Sequence, residues 1–242
     1  MHYFASDIHL GAGSADEARA TEQRFVAWLD RVAADAETVV LLGDIFDFWF
    51  EYRRVVPQGF TRTLAKLSEL TERGIRVVML TGNHDMWVGD YLPRECGIEL
   101  YTTPQLLTLG GQRLFVAHGD NMKIDGQWVL KAMNATFRSR VARALFSWLV
   151  HPDLALRFGK WWSGNSRKRH SQSTLTEAVT EPLIAYARET AAANQEIDHF
   201  IFGHMHYPRD YREGSLHTIH LGCWEAGESY AMLDHAGHLT LK

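Results

Sequence analysis

Val39-Val40-Leu41-Leu42-Gly43-Asp44-Ile45-Phe46-Asp47-Phe48-Trp49 opens as an apolar run and stops at a glycine and a carboxylate. Such a run, bounded by Gly, predicts a buried parallel strand, and in open α/β sheets ligands gather beyond the carboxyl ends of these strands. Asp44 therefore stands where chemistry is expected. A single Asp after a strand is usually only a turn former or a helix cap. Four other predicted strands end in the same way, however: Tyr3 to Ser6 runs into Asp7 and His9, Val77 to Leu80 into Asn83 and His84, Leu114 to Ala117 into His118, and Phe200 to Phe202 into His204 and His206. Five strand ends thus present oxygen and imidazole donors, and Asp44, with two oxygens, is able to touch two ions.

Between these strands the apolar period changes. Phe25, Trp28, Leu29 and Val32 fall at i, i+3, i+4 and i+7, one face of a helix; Phe60, Leu64, Leu67 and Leu70 form a second stripe, with Gly74 as its stop. Ile75 to Leu80 completes a βαβαβ order, which predicts an α/β fold with a parallel sheet. Leu106 to Leu109 and Leu114 to Ala117 flank Gly110-Gly111 as a hairpin. Leu216 to Leu221, Tyr230 to Leu233 and His238 to Leu241 are expected to close a second sheet. The aromatic stretch Phe46, Phe48, Trp49, Phe50, Tyr52 reads first as a loop packed on the core, and second as the wall of an apolar or base-stacking pocket.

A chain of 242 residues, with this apolar content, can bury one large core. Two cysteines, Cys96 and Cys223, argue against a disulfide framework and fit a reducing compartment. Met1 to Asp7 lacks a basic region and an apolar export segment, and no run reaches the roughly 18 apolar residues of a spanning helix. The expected location is cytoplasmic, with any membrane contact at the surface. The formal charge of −4 is unevenly spread: residues 121–170 hold ten Lys or Arg against two Asp, a balance of +8, leaving −12 elsewhere. That segment is expected to meet an anionic partner.

The donor set Asp7, His9, Asp44, Asn83, His118, His204 and His206 is too large for one tetrahedral zinc site and contains no thiolate. A centre of two divalent ions roughly 3.5–4 Å apart fits it better. Mixed N/O ligation suits Mn²⁺, taken as the first choice, with Fe²⁺ or Zn²⁺ also admitted. A water between two such ions becomes hydroxide near neutral pH and attacks phosphorus in line with the leaving oxygen. His84 is expected to stabilise the developing charge or protonate the leaving group, and Asp85 to hold its ring and raise its pKa. Asn83, His84 and His204 are expected to touch substrate as well. His220 is a weaker candidate for support from behind the ligands.

Asp7-x-His9, Gly43-Asp44, Gly82-Asn83-His84-Asp85, His118-Gly119 and Gly203-His204-x-His206, in this order, resemble the five motifs of the calcineurin-like metallophosphoesterases. The resemblance implies a four-layer α/β/β/α sandwich of two mixed sheets in which Asp44 bridges two metals. Ser6 to Gly11, Leu42 to Trp49, His118-Gly119-Asp120 and an insertion before the last motif are similar to the UDP-2,3-diacylglucosamine pyrophosphatases of lipid A synthesis. The similarity is to the branch with His, rather than Arg, at the position of His84. It implies release of UMP from a lipid-linked UDP-sugar at the cytoplasmic face of the inner membrane. It also implies substrate contacts by Ser166, in an Asn-Ser turn, and by Asp125; Arg169 is added on charge alone.

The chain is expected to be a single domain over 1–242, with 121–170 as an inserted helical cap. Val129, Met133, Phe137, Val141, Leu145 and Leu149 recur every four residues with Arg138, Arg140 and Arg143 among them, and Pro152 separates a second segment carrying Leu154, Leu156, Phe158, Trp161 and Trp162. A basic, aromatic hairpin of this kind can cover a site, grip acyl chains and rest on an anionic leaflet. It can also simply pack on the body, and it would suit nucleic acid, although a lipid surface is the expected partner. A phosphoesterase acting on soluble nucleotides, phosphoproteins or nucleic acid is the alternative, and a non-catalytic scaffold is a more distant one. Nothing in the sequence sets the oligomeric state.

Overall fold

The computed structural model describes residues 1–122, 136, 139–171, 176–225 and 227–242, without the side chains at 140, 160, 162 and 165–171. Eleven strands and six α-helices lie among them. Strands β1 (His2–Ala5), β2 (Thr38–Leu42) and β3 (Arg76–Leu80) are parallel, with α1 (Ala15–Val32) and α2 (Thr61–Glu72) as the crossovers. After α3 (Tyr91–Cys96), β4 (Glu99–Tyr101) adds in parallel to β3. The hairpin β5 (Gln105–Leu109) and β6 (Gln112–Ala117) starts a second sheet, which continues through β7 (His199–Phe202), β8 (Pro208–Glu213) and β9 (Leu216–Leu221) in the order β5-β6-β7-β9-β8.

The expected placement of the C-terminal strands needs one correction. β9 does belong to the second sheet, but β10 (Tyr230–Leu233) and β11 (Leu239–Leu241) join the first, β10 pairing antiparallel with β1 to give the order β11-β10-β1-β2-β3-β4. Alternating apolar residues specify a strand and its two faces, and both sheets offer an apolar inner face, so the pattern is blind to which sheet is joined.

Period-two alternation builds the layers. Tyr3, Ala5, Val39, Leu41, Val77 and Met79 face α1, α2 and α3, and Phe25, Trp28, Leu29 and Val32 fill the space between. The alternate residues Phe4, Val40, Leu42, Val78 and Leu80 face Leu107, Leu114, Val116, Ile201 and Ile219 of the second sheet. Phe200, Phe202 and Ala117 on its outer face meet Leu183 and Ala187 of a helix over Glu181–Ala193. The result is the four-layer α/β/β/α sandwich. Because β1, β2, β3, β6 and β7 run in matching parallel sets, their carboxyl ends emerge along one edge of the sandwich.

Two helices, α4 (Arg140–Leu149) and α5 (Pro152–Ser171), form a hairpin over that edge. Ser139 is extended and caps α4 through the Ala142 amide, so the four-residue repeat that begins at Val129 is not one unbroken helix. Gly164, Asn165 and Ser166 lie within α5 rather than in the expected turn. Phe146 packs on Phe50 and Trp87 at centroid distances of 5.1 and 5.3 Å, the Tyr52 hydroxyl donates to the Val150 carbonyl at 2.9 Å, and the Ser163 hydroxyl donates to the Asp47 carboxylate. Gly159 lies against Phe48 so closely that a Cβ would overlap the ring.

Candidate metal centre

The loops that follow the parallel strands are held in unusual backbone conformations. Asp7 (φ 55°), His9 (50°), Asp44 (52°), His204 (69°) and His206 (55°) all occupy the left-handed region, and Phe60 is the only other non-glycine residue to do so among the described residues. Each such residue costs on the order of 1–3 kcal/mol, a strain that concentrates at functional sites. The flanking glycines permit the close approach. A Cβ at Gly82 would overlap the Asp44 carboxylate, and one at Gly203 would overlap Ser6 and lie 2.7 Å from Asp7 Oδ2.

These turns converge all seven expected ligands. His206 Nε2 lies 3.1 Å from both Asp7 Oδ1 and His9 Nε2. His118 Nε2 lies 3.4 Å from Asp44 Oδ2 and 3.1 Å from Asn83 Oδ1. Asp7, His9 and His206 form one cluster of donor atoms, Asp44, His118 and His204 another, and His9, Asp44 and His84 a third, the donor atoms of each lying within 4.8 Å of one another. Asp44 is common to the last two, as a bridging carboxylate would be. Asp7 and Asp44 are buried and His9 and His118 nearly so.

The donors are oriented as ligands require. His118 Nδ1 donates to the Leu42 carbonyl at 2.8 Å, which turns Nε2 toward Asp44 and Asn83. Asp7 Oδ2 accepts from the His204 amide at 2.9 Å and from the Ser6 hydroxyl, while Oδ1 is buried, faces the His206 ring and accepts no aligned hydrogen bond. A buried carboxylate oxygen left over beside converging imidazole nitrogens fits a divalent ion. Electrostatics agree. Burial works to raise the Asp44 carboxyl, yet the imidazoles around it, His118 first, hold it well below the usual carboxylate range. Burial likewise opposes charge on His118, and Asp44 outweighs it, holding this imidazole well above its ordinary value. His9 and His204 are pushed down by burial to about 3 and about 4, into the neutral form that ligates.

Two expectations about neighbouring groups are corrected. Asp85 does not hold the His84 ring. Its carboxylate accepts from the backbone amides of Gly82 at 2.7 Å and Ile45 at 2.8 Å, tying the Asp44 and Asn83 turns together, and its pKa is pushed up to about 6 by burial and then by Asp44. The His84 ring is held instead by the Asp47 carbonyl, which accepts from Nδ1 at 2.9 Å, while the His84 amide donates to Asp44 Oδ1 at 2.8 Å. His220 is buried with neither ring nitrogen hydrogen-bonded among the described residues, and gives no hydrogen bond to the ligands.

Asp47 is the residue that sequence reasoning passed over. Its Oδ1 lies 3.8 Å from His9 Nδ1 and 3.9 Å from His84 Nδ1 and accepts from Ser163 of α5, joining that helix and the donor cluster through one side chain. The available signal was its spacing three residues after Asp44. Of the aromatic stretch, Phe46, Trp49 and Phe50 are buried in the core, and Phe48, with one side of Trp49, lines a cavity under α5 with Trp87, Phe158, Asn83 and His84. Asp125, and the side chains of Ser166 and Arg169, lie outside the described residues.

A sequence profile of the calcineurin-like phosphoesterases matches residues 3–208. The chain belongs to this family. It is similar to a protein of Porphyromonas gingivalis named UDP-2,3-diacylglucosamine hydrolase, with 36% identity over 96% of this chain and 93% of that one. Proteins of the same name from Azotobacter vinelandii (30% identity, 97% and 95% covered) and Edwardsiella ictaluri (28%, 97% and 88%) are likewise similar. Family membership gives the Asp and His clusters their meaning as sites for divalent metal ions.

Proposed function

We propose that this phosphoesterase hydrolyses the pyrophosphate bond of UDP-2,3-diacylglucosamine, giving UMP and 2,3-diacylglucosamine 1-phosphate. The observation that carries the reading is the position of the donor cluster beneath a cap whose inner face is apolar. Phe48, Trp87 and Phe158 wall a narrow cavity of about 50 Å³ that has Asn83 and His84 on its lining, so apolar side chains from the helical hairpin and the body meet at the rim of the donor cluster. The names of the similar proteins support the same substrate.

Asp7, His9, Asp44 and His206 would hold one ion and Asp44, Asn83, His118 and His204 the other, most favourably Mn²⁺. When bound, the two ions supply positive charge to the phosphoryl oxygens and a water acidic enough to attack at neutral pH. The protein's own groups do the rest. Asp85 and the strained turns fix the donors before substrate arrives. His84, oriented by the Asp47 carbonyl, places Nε2 4.0 Å from Asp44 Oδ2, at the rim of the cluster where a leaving oxygen can take a proton or be met by positive charge. Asn83, His204, Asp125, Ser166 and Arg169 complete the substrate contacts in this reading, and residues 121–170 act as a cap inserted in a single domain.

The outer side of the cap supports a surface role. Val141, Leu145, Trp148 and Leu149 on α4 and Leu154 and Trp161 on α5 are exposed, on a segment of charge +8. No helix among the described residues is long and apolar enough to cross a membrane. Each large side chain buried in a bilayer surface would contribute about 1.5–3 kcal/mol, and each nearby cation about 1 kcal/mol, enough for peripheral attachment to an anionic leaflet. The test is release of UMP from UDP-2,3-diacylglucosamine and from UDP-glucose in detergent micelles, with Mn²⁺ and with chelator. Metal-dependent cleavage of the acylated substrate alone is expected. Equal cleavage of UDP-glucose would transfer the site to soluble nucleotides.

A further inference from the structure

His9 is one of the converging donors, and its ring has two nitrogens to place. Nε2 is turned to the cluster, 3.1 Å from His206 Nε2 and 3.9 Å from Asp7 Oδ1. Nδ1, on the far side of the ring, is buried and makes no hydrogen bond among the described residues. A histidine that ligates through one nitrogen carries its proton on the other, and that N–H is almost always held by a carboxylate, a carbonyl or water. For His9 the group in that place is a carboxylate. Asp47 Oδ1 lies 3.8 Å from Nδ1, and both residues are buried.

The backbone brings the two together. The loops after β1 and β2 run side by side: the His9 amide donates to the Asp44 carbonyl at 3.0 Å, the Leu10 amide to the Ile45 carbonyl at 2.9 Å, and the Asp47 amide to the Leu10 carbonyl at 3.0 Å. Asp47 is thus fixed by its main chain to the loop that carries His9. The 3.8 Å separation is roughly 0.6–1.1 Å longer than an N–H···O hydrogen bond, within reach of a small rotation of either side chain.

The same carboxylate oxygen faces the helical hairpin. Ser163 of α5 donates to Oδ1, and Gly159, one turn earlier on the same helix face, lies against the Phe48 ring with no room for a Cβ. Residues 47 and 48 therefore seat α5 through one polar and one apolar contact. While Ser163 is in place the carboxylate is held beside His9; without it the carboxylate is freer to turn, and the ring loses its support.

We infer that Asp47 is a positioning residue with two outputs. It holds His9 in the tautomer that ligates, and through Ser163 it makes the seating of α5 and the binding of an ion by Asp7, His9 and His206 mutually supportive. Coupling of this kind is reciprocal: whatever α5 contributes to the ion, the ion returns to α5. The inference rests on the two-ion reading of the donor cluster and deepens it, because it gives the hairpin a part in retaining an ion, separate from any contact with substrate.

The experiment is electron paramagnetic resonance of the full chain equilibrated with Mn²⁺, in which a spin-coupled pair and a lone ion give different spectra. Wild type is expected to show the pair. Asp47→Ala, at the same free Mn²⁺, is expected to keep one ion and to regain the pair only at about 10–100-fold higher Mn²⁺. Asp47→Asn, which keeps the volume and an acceptor oxygen, is expected to fall between the two, and carries the test if the alanine variant fails to fold. Loss of both ions together in a variant that melts as wild type does, or a pair as tight in both variants as in wild type, overturns the positioning role. Hydrogen exchange reads the second output. Mn²⁺ is expected to slow exchange of the amides of residues 159–163 by about fivefold or more in wild type, and to change it by no more than about twofold in Ser163→Ala. Equal slowing in both proteins, or none in wild type, overturns the link to α5. A wild type that binds a single ion ends the two-ion reading, and Asp47 is then judged on that ion: a loss of about 10–100-fold in Asp47→Ala upholds its role, and unchanged affinity overturns it.

Discussion

Asp44 bears more of the site than any other residue. It belongs to two of the donor clusters, its carboxylate accepts the His84 amide, and its backbone sits in the left-handed region at φ 52°. Asp44→Ala is therefore expected to lower metal affinity by more than the roughly 10–100-fold lost when only a supporting group is removed. Metal analysis after gel filtration reads this directly, and full metal content in the variant would refute a bridging role. His84 differs. It touches the cluster at its rim and is steered by the Asp47 carbonyl, so His84→Ala is expected to retain both ions and lose roughly 10²–10⁴ in turnover. Undiminished turnover would reduce His84 to a packing residue.

At the scale of elements, the strand ends explain why so much of the site was legible. Asp, Asn and His recur together after five apolar runs, and parallel strands must deliver their carboxyl ends to one edge. Nothing in the sequence marks what fixes the donors there. The left-handed turns, the anchoring of two loops by Asp85, and the contact of Asp47 with Ser163 all depend on residues distant in sequence, 116 residues apart in the last case. The same holds for β10 and β11, whose alternation predicted strands without predicting their sheet. Ser163 gives a prediction at this scale. Its hydroxyl, on α5, ties the helical hairpin to the loop that orients His84, alongside the hydrogen bond from Tyr52 to the Val150 carbonyl. Ser163→Ala leaves Asp47 short of a buried donor, at a cost of about 1–3 kcal/mol, and should speed hydrogen exchange across residues 152–163 while leaving the exchange of β2 and β3 as it is. Uniform exchange in variant and wild type would mean that the contacts of Phe146 and Gly159 and the Tyr52 hydrogen bond dock the hairpin without Ser163.

For the whole molecule, charge and apolar exposure both gather on the cap. Trp148 is 82% exposed, so Trp148→Glu should shift stability by no more than about 0.5 kcal/mol. It should weaken binding to anionic vesicles by about tenfold or more, following the roughly 1.5–3 kcal/mol of one large apolar side chain; unchanged co-sedimentation would detach the cap from the membrane. Acid should loosen the fold from elsewhere. On the second sheet, His199 and His217 face each other with Nδ1 atoms 2.9 Å apart, and His199 is pushed down to about 4 by burial and then by His217. A histidine depressed in the folded state binds its proton more readily when unfolded, so its contribution is intact above about pH 6.5 and is lost as pH falls toward 4. His199→Gln, which retains a partner for His217, should show a shallower loss of melting temperature between pH 7 and pH 5 than wild type; parallel curves would assign the acid sensitivity to other groups.

The seating of β10 beside β1 also bears on how the protein is made. Asp7 and His9 leave the ribosome well before His206, 197 residues after His9, and β1 keeps one edge unpaired until residues 230–233 follow. During synthesis the first sheet therefore waits with an open strand edge, a template for pairing with the wrong chain, and the donor cluster cannot assemble. Pairings this distant in sequence close slowly. Metal supplied to a growing chain finds only fragments of its site, so loading belongs to the period after release, and yield in a cell should depend on whatever shelters that edge in the interval.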